Sequence, residues 1–288
     1  MRKLKLVLTI STAALAMAAI IFVTSCKKSN NTTDAVATNY ASDQAVAEKS
    51  YGDAQTISEN AYSNGSGAMN YRTTGITGYG CATVSTTSGG GMDTMTINFG
   101  STNCVCHDNR SRRGEIIVTY PAGKWDSVGT TRTITFNNFY QDDNAIAGTK
   151  TVTYNGLNGS GQPSYSVVIN GTVTYPSGKV ITVAWTRTRT WVAGYDPSGS
   201  IVWSNVVYTI SGSGTMTSSL GQQVEINIAP SAPLYFAFDC QWIEAGTISY
   251  TLVADGKTRS LNYGNTPNCD DNATITLANG TTRSIILP

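Results

Sequence analysis

From residue 79 onward, apolar and hydroxyl-bearing side chains alternate with a period of two. In 180–192 one set is Ile181, Val183, Trp185, Arg187, Arg189 and Trp191, and the other is Thr182, Ala184, Thr186, Thr188 and Thr190. Arg132, Ile134 and Phe136 alternate with Thr131, Thr133 and Thr135; Lys150, Val152 and Tyr154 with Thr149, Thr151 and Thr153. Arg259, Leu261 and Tyr263 alternate with Thr258, Ser260 and Asn262. Neighbouring side chains on a strand point to opposite faces. This period therefore requires strands with one apolar face and one wet, hydroxyl-rich face. The apolar face carries Arg among its aromatics, so guanidinium groups are expected over Tyr and Trp rings, their stems covering apolar surface.

Turn residues divide the alternating segments. Ser88-Gly89-Gly90-Gly91 and Gln141-Asp142-Asp143-Asn144 read as hairpin loops, and Pro121-Ala122-Gly123 ends a strand. Pro176-Ser177-Gly178 reads as a type I or II turn. Asp255-Gly256 and Asn279-Gly280 are strong two-residue hairpin signals. Strands are expected over 79–86, 93–99, 115–120, 130–140, 146–154, 165–175, 180–192, 201–211, 223–228, 234–252, 257–264, 273–278 and 282–287. Every connection is short, so neighbours should pair antiparallel in chain order. The expected fold is mainly β: a long antiparallel up-and-down meander of about a dozen strands, more than a flat open sheet holds. It must curl into a half-pipe or barrel-like body, or split into two sheets.

Before this body the period changes. Val36, Tyr40, Ala47, Tyr51, Ala54, Ile57 and Ala61 recur at three- and four-residue steps, which predicts one N-terminal helix over 34–62 with a small-residue stripe. Thr33 or Asp34 can cap its start, and Asn64-Gly65 can stop it. Gly52 lies inside and weakens the helix by about 1 kcal/mol relative to Ala, so the helix either survives by packing or breaks there. Residues 63–78 read as a linker, leaving 79–288 as the β domain. An open half-pipe needs a cover for its apolar face, and this helix is the expected lid.

The N-terminus reads as an export leader. Arg2, Lys3 and Lys5 precede an apolar run over 6–23, and Val23-Thr24-Ser25-Cys26 looks like a bacterial lipoprotein processing box. The expectation is a signal peptide over 1–25, lipidation at Cys26 and a polar tether over 26–33. Several acyl chains on one cysteine anchor stably where a single chain is marginal. Lys27 and Lys28 suit anionic head groups. The partner implied is the membrane, reached through the N-terminal lipid. No acidic cluster follows Cys26, which favours the periplasmic face of the outer membrane over surface display. No second apolar span follows.

Charged residues make up 13% of the chain, against about 25% in an average soluble domain. That composition suits an exported β protein better than a cytosolic enzyme. A net charge of +1 gives no global electrostatic case for nucleic acid.

In an oxidising envelope the remaining cysteines should pair, but Cys81, Cys104, Cys106, Cys240 and Cys269 are odd in number. Cys240 and Cys269 flank the Asp255-Gly256 hairpin, and a bulge near Gly246 would bring them together. Cys81 lies across the first hairpin from both Cys104 and Cys106 and can bridge to either. Cys104, Cys106 and His107 are one residue short of a haem attachment motif and too few and too close for structural zinc, so no metal and no cofactor is expected.

The segment Asp239-Cys240-Gln241-Trp242-Ile243-Glu244-Ala245-Gly246-Thr247, with Asp255-Gly256-Lys257-Thr258-Arg259, Leu261-Asn262-Tyr263-Gly264 and Cys269-Asp270-Asp271-Asn272-Ala273, is distinctive. Together with the processing box, the helix and Gly114-Glu115-Ile116-Ile117-Val118-Thr119-Tyr120, it resembles uncharacterised lipoproteins of Bacteroidota. The resemblance implies an envelope lipoprotein with a β-rich body and carries no activity with it.

Catalytic residues are not in evidence. The single histidine sits among the cysteines, and no serine has an elbow motif. Glu115, Glu225 and Glu244 form no recognisable acid pair, and no phosphate-cradling glycine motif is present. Arg110-Ser111-Arg112-Arg113 reads as a solvated basic turn. Trp185, Trp191, Trp203 and Trp242 make a stacking platform for sugars if their rings are exposed, although aromatics on an alternating strand belong more often to a core; Trp185, Trp191 and Trp203, with Arg187 and Arg189, are the candidate ligand-binding residues. The expected function is non-enzymatic: an envelope lipoprotein with a structural or ligand-binding role whose ligand the sequence does not identify, a glycan or an envelope protein being the candidate partners. A carbohydrate-binding module is the alternative, and a hydrolase a distant third.

Overall fold

The structure, a computed structural model, describes residues 29–64, 67–68, 82–106, 108–195 and 201–288. The expected leader, Cys26, Cys81 and His107 lie outside the described residues. The chain opens with helix α1 (Ser29–Asn64) and continues in strands β1 (Gly67–Ala68), β2 (Thr83–Gly89), β3 (Met92–Asn98), β4 (Cys104–Val105) and β5 (Ser111–Pro121). There follow β6 (Thr131–Gln141), β7 (Asn144–Leu157), β8 (Pro163–Thr174), β9 (Val180–Ala193), β10 (Val207–Thr217) and β11 (Gln223–Ile228). The last are β12 (Leu234–Ala237), β13 (Thr247–Leu252), β14 (Lys257–Asn262), β15 (Asn272–Thr276) and β16 (Thr282–Ile286).

These strands form one antiparallel sheet, paired almost wholly in chain order. Its path runs from β1 to β16 without closing, so the body is open at one seam. The turns follow from their residues. Asp142 and Asp143 both take positive φ, 50° and 61°, as a two-residue hairpin turn of this hand demands.

The face assignment holds across the sheet. Ile181, Val183, Trp185 and Trp191 are buried, as are Ile134, Val152 and Leu261. On the other face, Thr94, Thr119, Thr133 and Thr151 stand opposite one another on β3, β5, β6 and β7. The same outer row passes through one apolar residue, the exposed Val168 of β8, and continues through Thr186, Ser213, Asn227, Ser249, Ser260, Thr276 and Thr282.

Four expectations need correction. Helix α1 is longer than 34–62, and it is no lid with one apolar stripe: every residue in 47–61 is buried. The sheet curls around the helix, which touches it from β5 through β15. Tyr51 packs on Phe136 of β6, Gly52 meets Tyr208 of β10, and Tyr40 stacks on Tyr250 of β13. Second, the basic segment 110–113 is no solvated turn. It opens β5, and Arg112 is fully buried. Third, 234–252 is not one strand. β12 pairs back onto β10, the chain leaves the sheet after Ala237, touches β12 again through an antiparallel bridge of Ala245 to Tyr235, and β13 rejoins the sheet beside β11. Fourth, the strand expected over 201–211 begins only at Val207, after a short 3-10 turn at Trp203–Asn205, and runs on to Thr217.

Close packing of helix on sheet explains two glycines. A Cβ on Gly171 would lie 2.1 Å from the Tyr51 hydroxyl, which donates to the Ala147 carbonyl. Gly52 does not break α1; a Cβ there would press on the Tyr208 hydroxyl at 3.2 Å.

Candidate functional site

The interior is where most candidate residues come together. Helix α1 brings in Glu48, Lys49, Asp53 and Glu59, all buried. The inward row of β9 supplies their partners. The Glu48 carboxylate accepts from Arg187 Nε and Nη2 at 3.2 and 2.8 Å, and from Gln44, one turn earlier, at 2.9 Å. The Glu59 carboxylate accepts from Arg189 Nη1 at 2.9 Å and from Gln55 at 2.9 Å. The guanidinium of Arg187 lies 4.6 Å from the Trp185 ring centre, and that of Arg189 3.8 Å from the Tyr208 ring. A buried charge is tolerated when it is paired and hydrogen-bonded; Arg187 meets this through Glu48 and the Ser213 carbonyl, and Arg189 through Glu59 and Thr56, with its Nε left without a partner among the described residues.

Trp185 and Trp191 are 1% and 3% exposed, as buried as Arg187 and Arg189. Trp203 is partly buried against Trp191 and Phe238. An exposed stacking platform at these rings is therefore ruled out: their faces are occupied by guanidinium groups and other rings. The alternation itself carries this outcome, because all the platform residues of β9 share the apolar parity.

A second charged cluster lies near the seam. Asp53 faces Lys49 Nζ at 3.2 Å, Arg112 Nη2 at 3.4 Å and Arg110 Nε at 3.5 Å. Burial pushes the Asp53 carboxyl up, but the fields of Lys49, Arg110 and Arg112 outweigh it and hold the group below the usual carboxylate range. Arg112 also bonds Asp108, and Arg110 bonds Asp142. Lys49 donates to the Cys240 carbonyl and Arg110 to the Gln241 carbonyl, tying the first strands to the 238–246 excursion. Beside them is a cleft of about 100 Å³ lined by Val46, Lys49, Arg110, Asp142, Trp242 and Pro288, among others. Asp142, the side-chain carboxylate lining this cleft, is committed to Arg110.

Among the described residues no carboxylate pairs with Lys150. It donates to the Tyr51 carbonyl of the helix at 2.7 Å. Burial, reinforced by the positive charge of Arg189, lowers its pKa to about 7.

Cys240 and Cys269 form a disulfide with Cα atoms 5.7 Å apart. Gly246, at φ 107°, marks the irregular backbone that returns the excursion to the sheet. The two sulfurs and the Glu244 carboxylate lie within 4.8 Å of one another, but sulfurs bonded to each other offer a metal no thiolate. Cys104 is also disulfide-bonded. Its partner lies outside the described residues, as does Cys81, the partner expected. Cys106 is a buried thiol, its pKa raised by burial.

One feature of the outer face escaped the sequence reading. At β5–β6 the register runs Arg113 opposite Tyr140, then Glu115 opposite Asn137. Only Gly114 lies between the first pair, against Asn138 and Phe139 on the other strand, so β6 carries an extra residue. Gly114 takes φ 83° and Asn138 φ 46°; a Cβ on Gly114 would strike the Asn138 carbonyl at 1.9 Å. The bulge turns Phe139 inward and leaves Asn137 and Asn138 both exposed. Glu115 accepts from the Asn98 amide through one oxygen and from the Asn137 amide through the other, each at 2.8 Å. Arg113 stacks 3.8 Å from the Tyr140 ring and bonds Asp143 and Asn103. These residues border an open hollow of about 370 Å³. The signal was present as Phe136-Asn137-Asn138-Phe139, where the alternation slips by one.

No protein-family model, curated protein or solved structure matches this chain.

Proposed function

We propose that the protein is a non-enzymatic lipoprotein of a bacterial envelope, held by acylated Cys26 and serving a structural or ligand-binding role. The observation that carries this reading is the place of α1. The helix begins at Ser29, three residues after Cys26, and becomes the core of the body. A pull on the anchor thus acts on a helix buried over 47–61 and tied to the sheet by Glu48–Arg187 and Glu59–Arg189. The Cys240–Cys269 disulfide supports an oxidising compartment. In the interior Glu48, Asp53 and Glu59 are bound to arginine or lysine, and Asp43 accepts from the Tyr175 hydroxyl and the Ser219 backbone amide, which favours support over catalysis. Among the described residues no helix is long and apolar enough to cross a membrane, so in this reading attachment rests on the lipid. The location proposed is the outer membrane, on its periplasmic face, with a glycan or an envelope protein as partner and no nucleic acid.

Metabolic labelling with a radioactive fatty acid tests the anchor. The wild-type chain takes up label and fractionates with membranes. Cys26→Ser takes up none and is recovered as an unprocessed precursor. Labelling of the Cys26→Ser variant, or an unlabelled wild-type chain, would end this reading.

A further inference from the structure

We propose that the hollow bordered by Asn98, Arg113, Glu115, Asn137, Asn138 and Tyr140 binds a neutral glycan through adjacent sugar hydroxyls. This gives the ligand-binding part of the function above its site, and it does not depend on the anchor. The chain accepts an unfavourable backbone to build the hollow. A non-glycine residue at φ 46° and an extra residue in β6 cost free energy, and such irregularities cluster where a side chain must be re-aimed. Here they bring Asn137 and Asn138 out side by side next to Glu115.

The chemistry selects the ligand. Two amide groups hold the Glu115 carboxylate before anything binds, and each of its oxygens keeps a further lone pair. A fixed, planar pair of acceptors matches two neighbouring hydroxyls of a sugar. The Asn138 amide and the Tyr140 hydroxyl supply donors and acceptors along the same wall. Among the described residues no ion pair involves Glu115. The nearby Arg113 is taken by Asp143. A uronic acid, sulfate or phosphate would therefore meet an uncompensated negative charge. A metal ion fits no better, because the two asparagines turn NH₂ groups, not carbonyls, toward the carboxylate, and a hard cation needs oxygens. The hollow has the size of a small-ligand site, about 300 Å³ or more. Glycoside hydrolysis uses a pair of carboxyls flanking the bond; Asp143, the other carboxylate here, is bound to Arg113 and Asn103. The sugar is held and not cut.

The test is an array of neutral hexose and N-acetylhexosamine oligosaccharides beside uronic-acid and sulfated ones, probed with the full chain in detergent. Calorimetry on the strongest neutral binder follows. We expect neutral oligosaccharides to bind and acidic ones to fail. Asn138→Gly, which suits the positive φ and leaves folding intact, should weaken binding tenfold or more, and Glu115→Gln should do the same. No neutral binder at about 10 mM sugar, well above the constant of a weak single site, overturns the proposal. So does a preference for acidic glycans, or wild-type affinity in folded Asn138→Gly. Failure here leaves the fatty-acid labelling result untouched, and failure of labelling leaves this one standing.

Discussion

Alternate residues of β9 meet opposite demands. Arg187 and Arg189 face inward and are almost completely buried, while Thr186 and Thr188 face outward and are exposed. The inward pair depends on two particular carboxylates of α1. The outward pair sits in a row of like hydroxyls where water can satisfy each group. A buried charge must be met by groups held at fixed positions, whereas an exposed threonine can be met by any water, so the inner face specifies the position of α1 and the outer face tolerates change.

The largest test of this contrast removes one inner partner. Glu48→Ala leaves Arg187 charged and buried, and should lower stability by about 3–5 kcal/mol in chemical denaturation. Replacing both partners together, Glu48→Leu with Arg187→Met, should recover most of that loss, because the desolvation cost goes with the charges. If the single change costs no more than the double, the pairing account is wrong.

Gly171→Ala comes next. The added methyl would meet the Tyr51 hydroxyl at 2.1 Å and the Ala147 carbonyl at 2.5 Å. Overpacking against backbone should cost about 1–3 kcal/mol. Adding Tyr51→Phe should return only part of it, since the backbone contact remains; full recovery would show that the hydroxyl alone sets the limit.

The third test uses pH. Lys150, pushed down to about 7 in the folded protein, has an ordinary value of about 10.4 when unfolded. Between these values the unfolded chain holds more protons, so stability should rise with pH, by up to about 1.4 kcal/mol per unit. Lys150→Met should flatten that rise and stabilise the protein most below pH 7, where the buried charge is fully present. Asp53 acts in the opposite range. Its contribution is complete above the ordinary carboxylate pKa and is lost as pH falls through its lower folded value. An unchanged profile in Lys150→Met would remove the assignment.

The smallest effect belongs outside. Thr188→Ala, one residue from Arg187, should shift stability by no more than about 0.5 kcal/mol. A loss comparable to that of Glu48→Ala would mean that the outer face carries specific structure as well.

Much of this was legible in the residues. The parity of β9 placed Trp185, Arg187, Arg189 and Trp191 on one face, and the hairpins close at Asp255-Gly256 and Asn279-Gly280, though through four- and five-residue connections, 253–256 and 277–281, and not the two-residue turns expected. Cys240 and Cys269 were paired from their position about that hairpin. Other features were not legible for identifiable reasons. Arg110-Ser111-Arg112-Arg113 has the composition of a solvated turn, and only the arrival of Asp53 and Asp108 makes burying Arg112 tolerable. The bulge at Asn137-Asn138 depends on which residue lies across the strand, and that is invisible until the register is set.

The sequence alone determined the alternation of strands, the sites of the turns and the separation of an apolar from a hydroxyl face, because each is a local property of side chains and backbone. Tertiary structure decided that the helix runs inside the sheet, that its charges are buried, and that a hollow forms at Glu115. Those outcomes depend on partners distant in the chain: Glu48 with Arg187, Asp53 with Arg112, and Glu115 with Asn98 and Asn137. A charge or an amide becomes stable in such a place only when its counterpart arrives, and no local pattern records where that counterpart will come from.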